Sequence, residues 1–320
     1  MHILTDQDID RVPQRNYEAA VRAHLIADAH GDAAGSSRHV TDIGRGSISV
    51  SASGRNGYAG ISAEETFHRP DTEQQEQLVA GWDTNTGGLF GLAVGDRLGA
   101  ISTGCIGGIA LDCLAPHKVK SLALIGVGKR AEAQLAAAIS LRTFEQIRIY
   151  GRQPVAATAL AKQFRTRTQT PIQISGSPEE AVHNADIVIL ATDSSEPVID
   201  ADWVAPHAHV TSIGPRTRLR HELPIGLVHR AKLLVSDSPQ QVRNSADHFL
   251  QGEVALKRLE HLGGLVGKFN PDKNRTMTLF LSSGPAGADI AALRAAVDFL
   301  DNNQPVSAAP RPMLRAGGYQ

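Results

Sequence analysis

The residues most ready for chemistry stand in the middle of the chain. Gly126-Val127-Gly128-Lys129-Arg130-Ala131 is a GxGxxA turn between a short apolar run, SLALIGVG, and a helical stretch. In that strand–turn–helix setting Gly126 permits a tight turn. Gly128 lets a pyrophosphate approach the backbone at a helix N-terminus, and Ala131 lets helix and strand pack closely. The turn predicts dinucleotide binding; the plainer reading is an ordinary glycine turn. The next strand, QIRIYG, ends in Gly151 and Arg152, where NAD-binding versions carry an acid for the ribose 2′-hydroxyl. A guanidinium there, with positive potential from Lys129 and Arg130, favours a 2′-phosphate, so NADP(H) is expected over NAD(H). Read as a solvated turn residue, Arg152 carries no such preference. Cys105 follows Thr103-Gly104 at an expected helix start, where the dipole could lower its pKa; the plainer reading is small-residue packing. Cys105 and Cys113 fit neither a disulfide framework nor a zinc spacing, and no metal site is expected.

The elements that must position these residues fall into two textures. Residues 1–35 read as a strand (2–4) and a helix begun by Asp8 or Asp10, with Tyr17, Ala20, Val21, Leu25 and Ile26 at helical spacing. From Arg38 to Gly99, short alternating pieces predict antiparallel hairpins, with TNTGG at 84–88 as the best turn. Residues 104–115 predict a small-residue helix ended by Pro116. From Lys120 the pattern alternates: strand, helix 129–142, strand 146–151, helix 154–166. PIQIS, DIVILAT, HVTSIG, AKLLVSD and TMTLFLSS follow as further strands, with a last helix at 286–301. This is an α/β pattern with a mostly parallel sheet. The tail from Ser307 is expected to be poorly ordered.

Bulk properties narrow the classes. At 320 residues the chain exceeds the usual size of one core, so two domains are expected. Lys and Arg total 32 against 33 for Asp and Glu, which lacks the basic surplus of a nucleic-acid partner. No basic segment leads an apolar start, and no run approaches the roughly 18–20 apolar residues of a membrane span. A cytoplasmic protein with a small-molecule substrate, no nucleic acid and no membrane is the expectation.

The small-residue helix, the GxGxxA turn, ILATDSSEPVI, VTSIGP and TLFLSSGPAGADIAAL, in this order, resemble the ornithine cyclodeaminase/mu-crystallin family. The resemblance runs over nearly the whole length and is clearest from Lys120 to Leu293. It implies a Rossmann-like NAD(P)-binding domain over 117–287 and a discontinuous α+β domain, 1–116 with 288–320, that binds substrate and forms a homodimer. It also implies hydride transfer at a carbon bearing nitrogen. Thr192, Ser194 and Gly214 become cofactor contacts.

On the substrate side the resemblance is uneven. Arg38, in SSRHV, matches an arginine that binds the substrate carboxylate. A lysine of the next strand falls near Ile61, the arginine of an RTGA motif at Ser102, beside Thr103, and the lysine of TLFKS at Leu281. The acid after a VGAD-type turn falls at Arg216. Ser102, Thr103 and Arg216 are still placed, with Arg38, at the substrate. A carboxylate buried without cations costs several kcal/mol, so a typical α-amino acid should bind poorly unless Arg216 or Arg218 supplies charge from another wall. Replacement acid/base candidates are His39, Glu64, Glu65 and His68, each also readable as a solvated side chain. Asp289 matches an acid of the family's last helix, lining the site or capping that helix.

The leading expectation is an NADP(H)-dependent oxidoreductase acting on a C=N or CH–N substrate unlike ornithine. The alternatives are a non-catalytic NADPH-binding protein of the mu-crystallin type and an amino-acid cyclodeaminase, which the missing acid disfavours.

Overall fold

Residues 1–36, 38–67 and 76–303 are described by the computed structural model. The acid/base candidate His68 and the tail from residue 304 lie outside the described residues. Two sheets organise the rest.

The first sheet is built from β1 (His2–Leu4), β2 (Ala33–Gly35), β3 (His39–Asp42), β4 (Ser47–Arg55), β5 (Tyr58–Glu65), β6 (Gln77–Trp82) and β7 (Leu89–Gly95). Its order is β1-β7-β6-β5-β4-β2, with β3 also on β4. Its hairpins are antiparallel, and β1 joins β7 in parallel. The turn at 84–88 closes β6 onto β7, with the Asp83 N–H donating to the Gly88 carbonyl at 2.9 Å. The single N-terminal helix expected from the sequence is two, α1 (Asp6–Asp10) and α2 (Gln14–Ala29). Thr5 starts the first, its N–H and hydroxyl donating to the Asp8 carboxylate at 3.0 and 2.8 Å. Pro13, which cannot sit inside a helix, separates them.

The small-residue helix α3 (Arg97–Leu114) begins seven residues before Gly104. Its first turn is held from outside: the Arg97 N–H donates to the Asp6 carboxylate of α1 at 3.2 Å. Gly99, which ends the hairpin region in the sequence, lies within α3, and the Gln77 side chain packs where its Cβ would stand. By length and composition α3 could cross a membrane, and most of it lies buried inside the protein. Cys105 is therefore a mid-helix residue away from the positive end, and burial pushes its thiol up to about 12, which removes the reactive-thiol reading.

The second sheet is parallel throughout. It contains β8 (Ser121–Ile125), β9 (Gln146–Tyr150), β10 (Ile172–Ile174), β11 (Ile187–Leu190), β12 (His209–Ser212), β13 (Leu233–Ser236), β14 (Leu259–His261) and β15 (Thr278–Leu281), in the order β10-β9-β8-β11-β12-β15-β13-β14. Helices α4 (Lys129–Leu141), α5 (Pro154–Arg165), α6 (Pro178–Val182), α7 (Ile225–Arg230), α8 (Pro239–Asn244) and α9 (Leu262–Leu265) come between the strands. The central strands are apolar without alternation, as IVIL of β11 shows, because both faces are covered. Strand β14, LEH, has no apolar run and gives no signal in the sequence.

Two helices bind the sheets together. Gly104 and Gly108 of α3 let Ala133 and Ala137 of α4 approach to about van der Waals contact, and Gly107 leaves room for Gln134. The last helix, α10 (Ala286–Asn302), returns to the first sheet and packs on α2, β4, β5, β6 and β7. The architecture is α/β, with a Rossmann-like parallel sheet beside an α+β layer.

Candidate active site

Strand β8 ends in the middle of the parallel sheet, between β9 and β11, where the order of connection reverses. Crevices at such points receive ligands in open α/β sheets. Gly126 has φ +120°, and a Cβ there would stand 2.2 Å from the Ala191 carbonyl oxygen beyond β11, so no side chain fits. Gly128 is the N-cap of α4, makes no side-chain cap, and has open space where a Cβ would point. Ala131 is fully buried beneath the helix. Gly151, ending β9, lies against Val127 of the turn. Uncapped amides, open space above the second glycine and a helix drawn close to its strand fit a dinucleotide pyrophosphate.

Two cations of this region are already engaged. Lys129 pairs with Asp96, and Arg152 pairs with Asp193 at 3.1 Å, both side chains of the latter pair being about 80% exposed. Such a surface pair contributes little and yields readily to a phosphate. Arg130 is exposed on the same turn.

Beside the turn lies a residue that sequence reasoning missed. The fully buried Glu222 accepts from the Thr192 N–H at 2.7 Å, the Thr192 hydroxyl at 2.8 Å, the Ser212 hydroxyl at 2.8 Å, the Ile213 N–H at 3.2 Å and the Gly214 N–H at 2.7 Å. Burial raises its pKa against these donors. It ties the loop after β11 to the loop after β12, and a Cβ at Gly214 would collide with it. Ser194 continues the first loop, its N–H donating to the Thr192 hydroxyl at 3.2 Å.

On the other side, the inner face of the first sheet meets α3 and α10 in a buried polar cluster. Asp289 accepts at one oxygen from Ser62 at 2.9 Å and Gln77 at 2.8 Å, and at the other from Ser102. Burial pushes its carboxyl up despite these donors. Asp289 lies inside α10, whose N-cap is Pro285, so it does not cap its helix. Strand alternation sends Ser62 and Glu64 inward and Ile61 outward, so β5 presents Ser62, not Ile61, to this cluster. Thr103 makes its hydrogen bond elsewhere, its carbonyl accepting from Gln134 of α4 at 2.8 Å.

Glu64 pairs with Arg38 at 3.3 Å, and Arg38 also donates to the Gly284 carbonyl at 3.4 Å. Arg216 donates to the Ser282 carbonyl from the far side of that loop. Burial first, and then the nearby Arg38, lower its pKa to about 10, so it stays charged at neutral pH. Arg218 is exposed, its N–H bonded to the Asp247 carbonyl. Two other acid/base candidates are not brought here. His39 pairs directly with Val50, on the sheet face opposite Glu64. Glu65 also points to that opposite face, where its carboxylate accepts from the Phe67 N–H at 2.6 Å and the Glu76 N–H at 3.0 Å. Glu64 and Asp289 are the carboxylates that converge.

Comparison with known proteins accords with this arrangement. Residues 56–303 match the model of the Ornithine cyclodeaminase/mu-crystallin family. Ketimine reductase mu-crystallin of Mus musculus is 26% identical over 217 residues, covering 68% of this chain and 67% of that one. A Delta(1)-pyrroline-2-carboxylate reductase of Bacillus cereus is 27% identical over 218 residues, covering 65% and 66%. The structure of Thermococcus litoralis Delta(1)-pyrroline-2-carboxylate reductase with NADH and L-proline superposes with a TM-score of 0.86 at 24% identity, covering 94% and 98%. The family match runs from the β4–β5 hairpin through both polar clusters and the glycine turn to α10, and the chain belongs to the ornithine cyclodeaminase/mu-crystallin family.

Proposed function

We propose that the chain is a nicotinamide-dependent oxidoreductase that reduces a C=N bond, or oxidises the corresponding amine, in a small molecule unlike ornithine, with NADP(H) preferred over NAD(H). One observation carries the reading: Arg38 of the first sheet and Arg216 of the loop after β12 meet at Gly284, and Glu222 ties that same loop, at Gly214, to Thr192 beside the glycine turn. The nucleotide cradle and the convergent polar groups thus share one cleft. Gly126, Gly128, Ala131, Gly151, Thr192, Ser194 and Gly214 would hold the cofactor, with Arg152 at a 2′-phosphate. When bound, a nicotinamide supplies two-electron reduction at carbon.

The side chains have separable tasks. Arg38 orients the Glu64 carboxylate, which is the partly exposed group able to carry the proton exchanged at the substrate nitrogen. Ser62, Gln77 and Ser102 fix Asp289 in a buried wall. Arg216 cannot exchange a proton at neutral pH, so an acid/base step at that position, as a cyclodeaminase would need, is not available. The neutral Ser62 and Ser102 favour, as a second reading, a non-catalytic NADPH-binding protein of the mu-crystallin type.

On this reading residues 1–116 with 288–320 bind substrate, residues 117–287 bind nucleotide, and the protein works in the cytoplasm as a homodimer. The dimer is supported by the outer face of the first sheet, where Ile3, Ile48, Val50, Leu78, Trp82 and Val94 are exposed together. The test of function is to mix the protein with NADPH or NADH and a panel of cyclic ketimines, and to follow loss of the reduced nicotinamide. Turnover faster with NADPH is expected. Tight NADPH binding without turnover across the panel selects the second reading, and ammonia release without net cofactor use selects a cyclodeaminase.

A further inference from the structure

Gly284 marks a point on which two guanidinium groups converge. A Cβ there would stand 3.7 Å from Nη2 of Arg38 and 4.0 Å from Nη2 of Arg216. Gly284 has φ +65°, so the backbone disfavours a side chain there although a Cβ would meet the two groups only at van der Waals distance. Arg216 makes no ion pair among the described residues; its hydrogen bond runs from the other nitrogen, Nη1, to the Ser282 carbonyl. The nearest acid below the loop, Asp237, is consumed by the loop itself, accepting from the Ser282 hydroxyl at 2.8 Å, the Ser283 N–H and the Gly284 N–H at 3.1 Å. Arg38 is exposed and paired with Glu64 at 3.3 Å, Arg216 is half-buried, and two like charges drawn this close favour an anion between them. Across the cleft, the Ser62–Gln77–Ser102 wall offers donors already committed to the acid Asp289, and Glu64 adds a second acid beside it.

We propose that Arg38 and Arg216 grip one carboxylate of the substrate over Gly284, so that the acidic end of the substrate faces the loop after β12 and its neutral or basic end faces the Asp289 wall. The inference rests on the proposed function for calling the ligand a substrate, and it assigns Arg216 to specificity. A guanidinium where the family resemblance leads one to expect an acid reverses the polarity of that wall, and an oxyanion is the ligand chemistry it fits. Gly214, a proposed cofactor contact, stands two residues before Arg216, so a nucleotide phosphate is the other source of such an oxyanion.

The test uses the full chain and two unreactive planar probes, pyrrole-2-carboxylate and pyrrole-2-carboxamide, titrated calorimetrically with and without saturating NADPH. The carboxylate is expected to bind the parent protein, and Arg216→Gln to weaken it by about thirtyfold or more, the scale of removing one arm of a buried charged contact. Arg38→Gln should weaken it too, and the double variant should lose less than the product of the two, because both arms hold one ligand. Carboxamide and NADPH affinities should stay within about threefold throughout. Arg216→Lys, which keeps the charge, and melting curves of every variant show whether a loss reflects the fold. No carboxylate binding by the parent, equal loss of both probes in Arg216→Gln, or a loss confined to NADPH overturns the proposal; the last assigns Arg216 to a nucleotide phosphate. Arginine-dependent carboxylate binding with no turnover in the ketimine assay upholds the clamp and defeats the reductase reading alone.

Discussion

Arg152 and Glu222 bear on the proposed nucleotide site in two different ways. Arg152 is exposed and held only by Asp193, so its side chain can turn to a 2′-phosphate at small cost. Arg152→Ala is expected to raise the KM for NADPH about tenfold or more and to leave that for NADH within about twofold, because one charge-assisted contact is lost to one cofactor only. An unchanged NADPH-to-NADH ratio in steady-state kinetics refutes the 2′-phosphate role. The candidacy of Arg152 comes from the sequence alone because it depends on a local offset from the glycines. That of Glu222 does not, because the Thr192 it holds lies thirty residues away, and nothing in HELP marks a buried carboxylate. The same holds for Ser62 and Gln77, whose partner Asp289 lies on the far side of the whole second sheet in chain order.

Among the elements, the contact of α3 with α4 is the mechanical link between the sheets. Gly107 lets Gln134 lie between the helices, where its amide donates to the Thr103 carbonyl. A Cβ at Gly107 would stand 1.8 Å from the Gln134 carboxamide oxygen, so the buried side chain must move and lose that bond. Gly107→Ala is expected to destabilise the fold by about 1–3 kcal/mol, read from urea unfolding. A change within about 0.5 kcal/mol would show that the helices separate freely. The parallel sheet and its helices are largely legible, since continuous apolar strands alternate with periodic helices. Boundaries that depend on distant partners are not: the true start of α3 needs Asp6 of α1, and Gly99 makes sense only beside Gln77.

At the scale of the whole molecule, pH and assembly give two further expectations. Burial lowers the pKa of His24 and His248 to about 4 and of His209 to about 3, from 6.5. Their folded values lie below the unfolded one, so the unfolded chain binds more protons in between. Their stabilising contribution is complete above about pH 6.5 and is lost as pH falls toward 4, by up to about 1.4 kcal/mol per unit for each fully titrating histidine. Glu222 and Asp289, raised by burial, act in the opposite sense and recover part of the loss on acidification. The urea midpoint is expected to be lower at about pH 5 than at about pH 7, and an equal or higher midpoint contradicts the balance. For assembly, Leu78→Asp on the outer face of the first sheet should convert a dimer to a monomer in sedimentation without loss of helical signal. An unchanged mass would place any dimer contact elsewhere.

The return of α10 to the first sheet has a consequence for how the protein is made. A ribosome finishes every strand of the first sheet long before it reaches Ala286, and the inner face of β4–β7 must wait uncovered while the parallel sheet is synthesised. The later half can close around its own core first, and the earlier half becomes whole only when the last helix emerges. A premature stop anywhere before that helix therefore leaves the small-residue inner face of the sheet and the apolar side of α2, with Val21 and Leu25, without their cover on the oldest part of the nascent chain, where quality control would meet them.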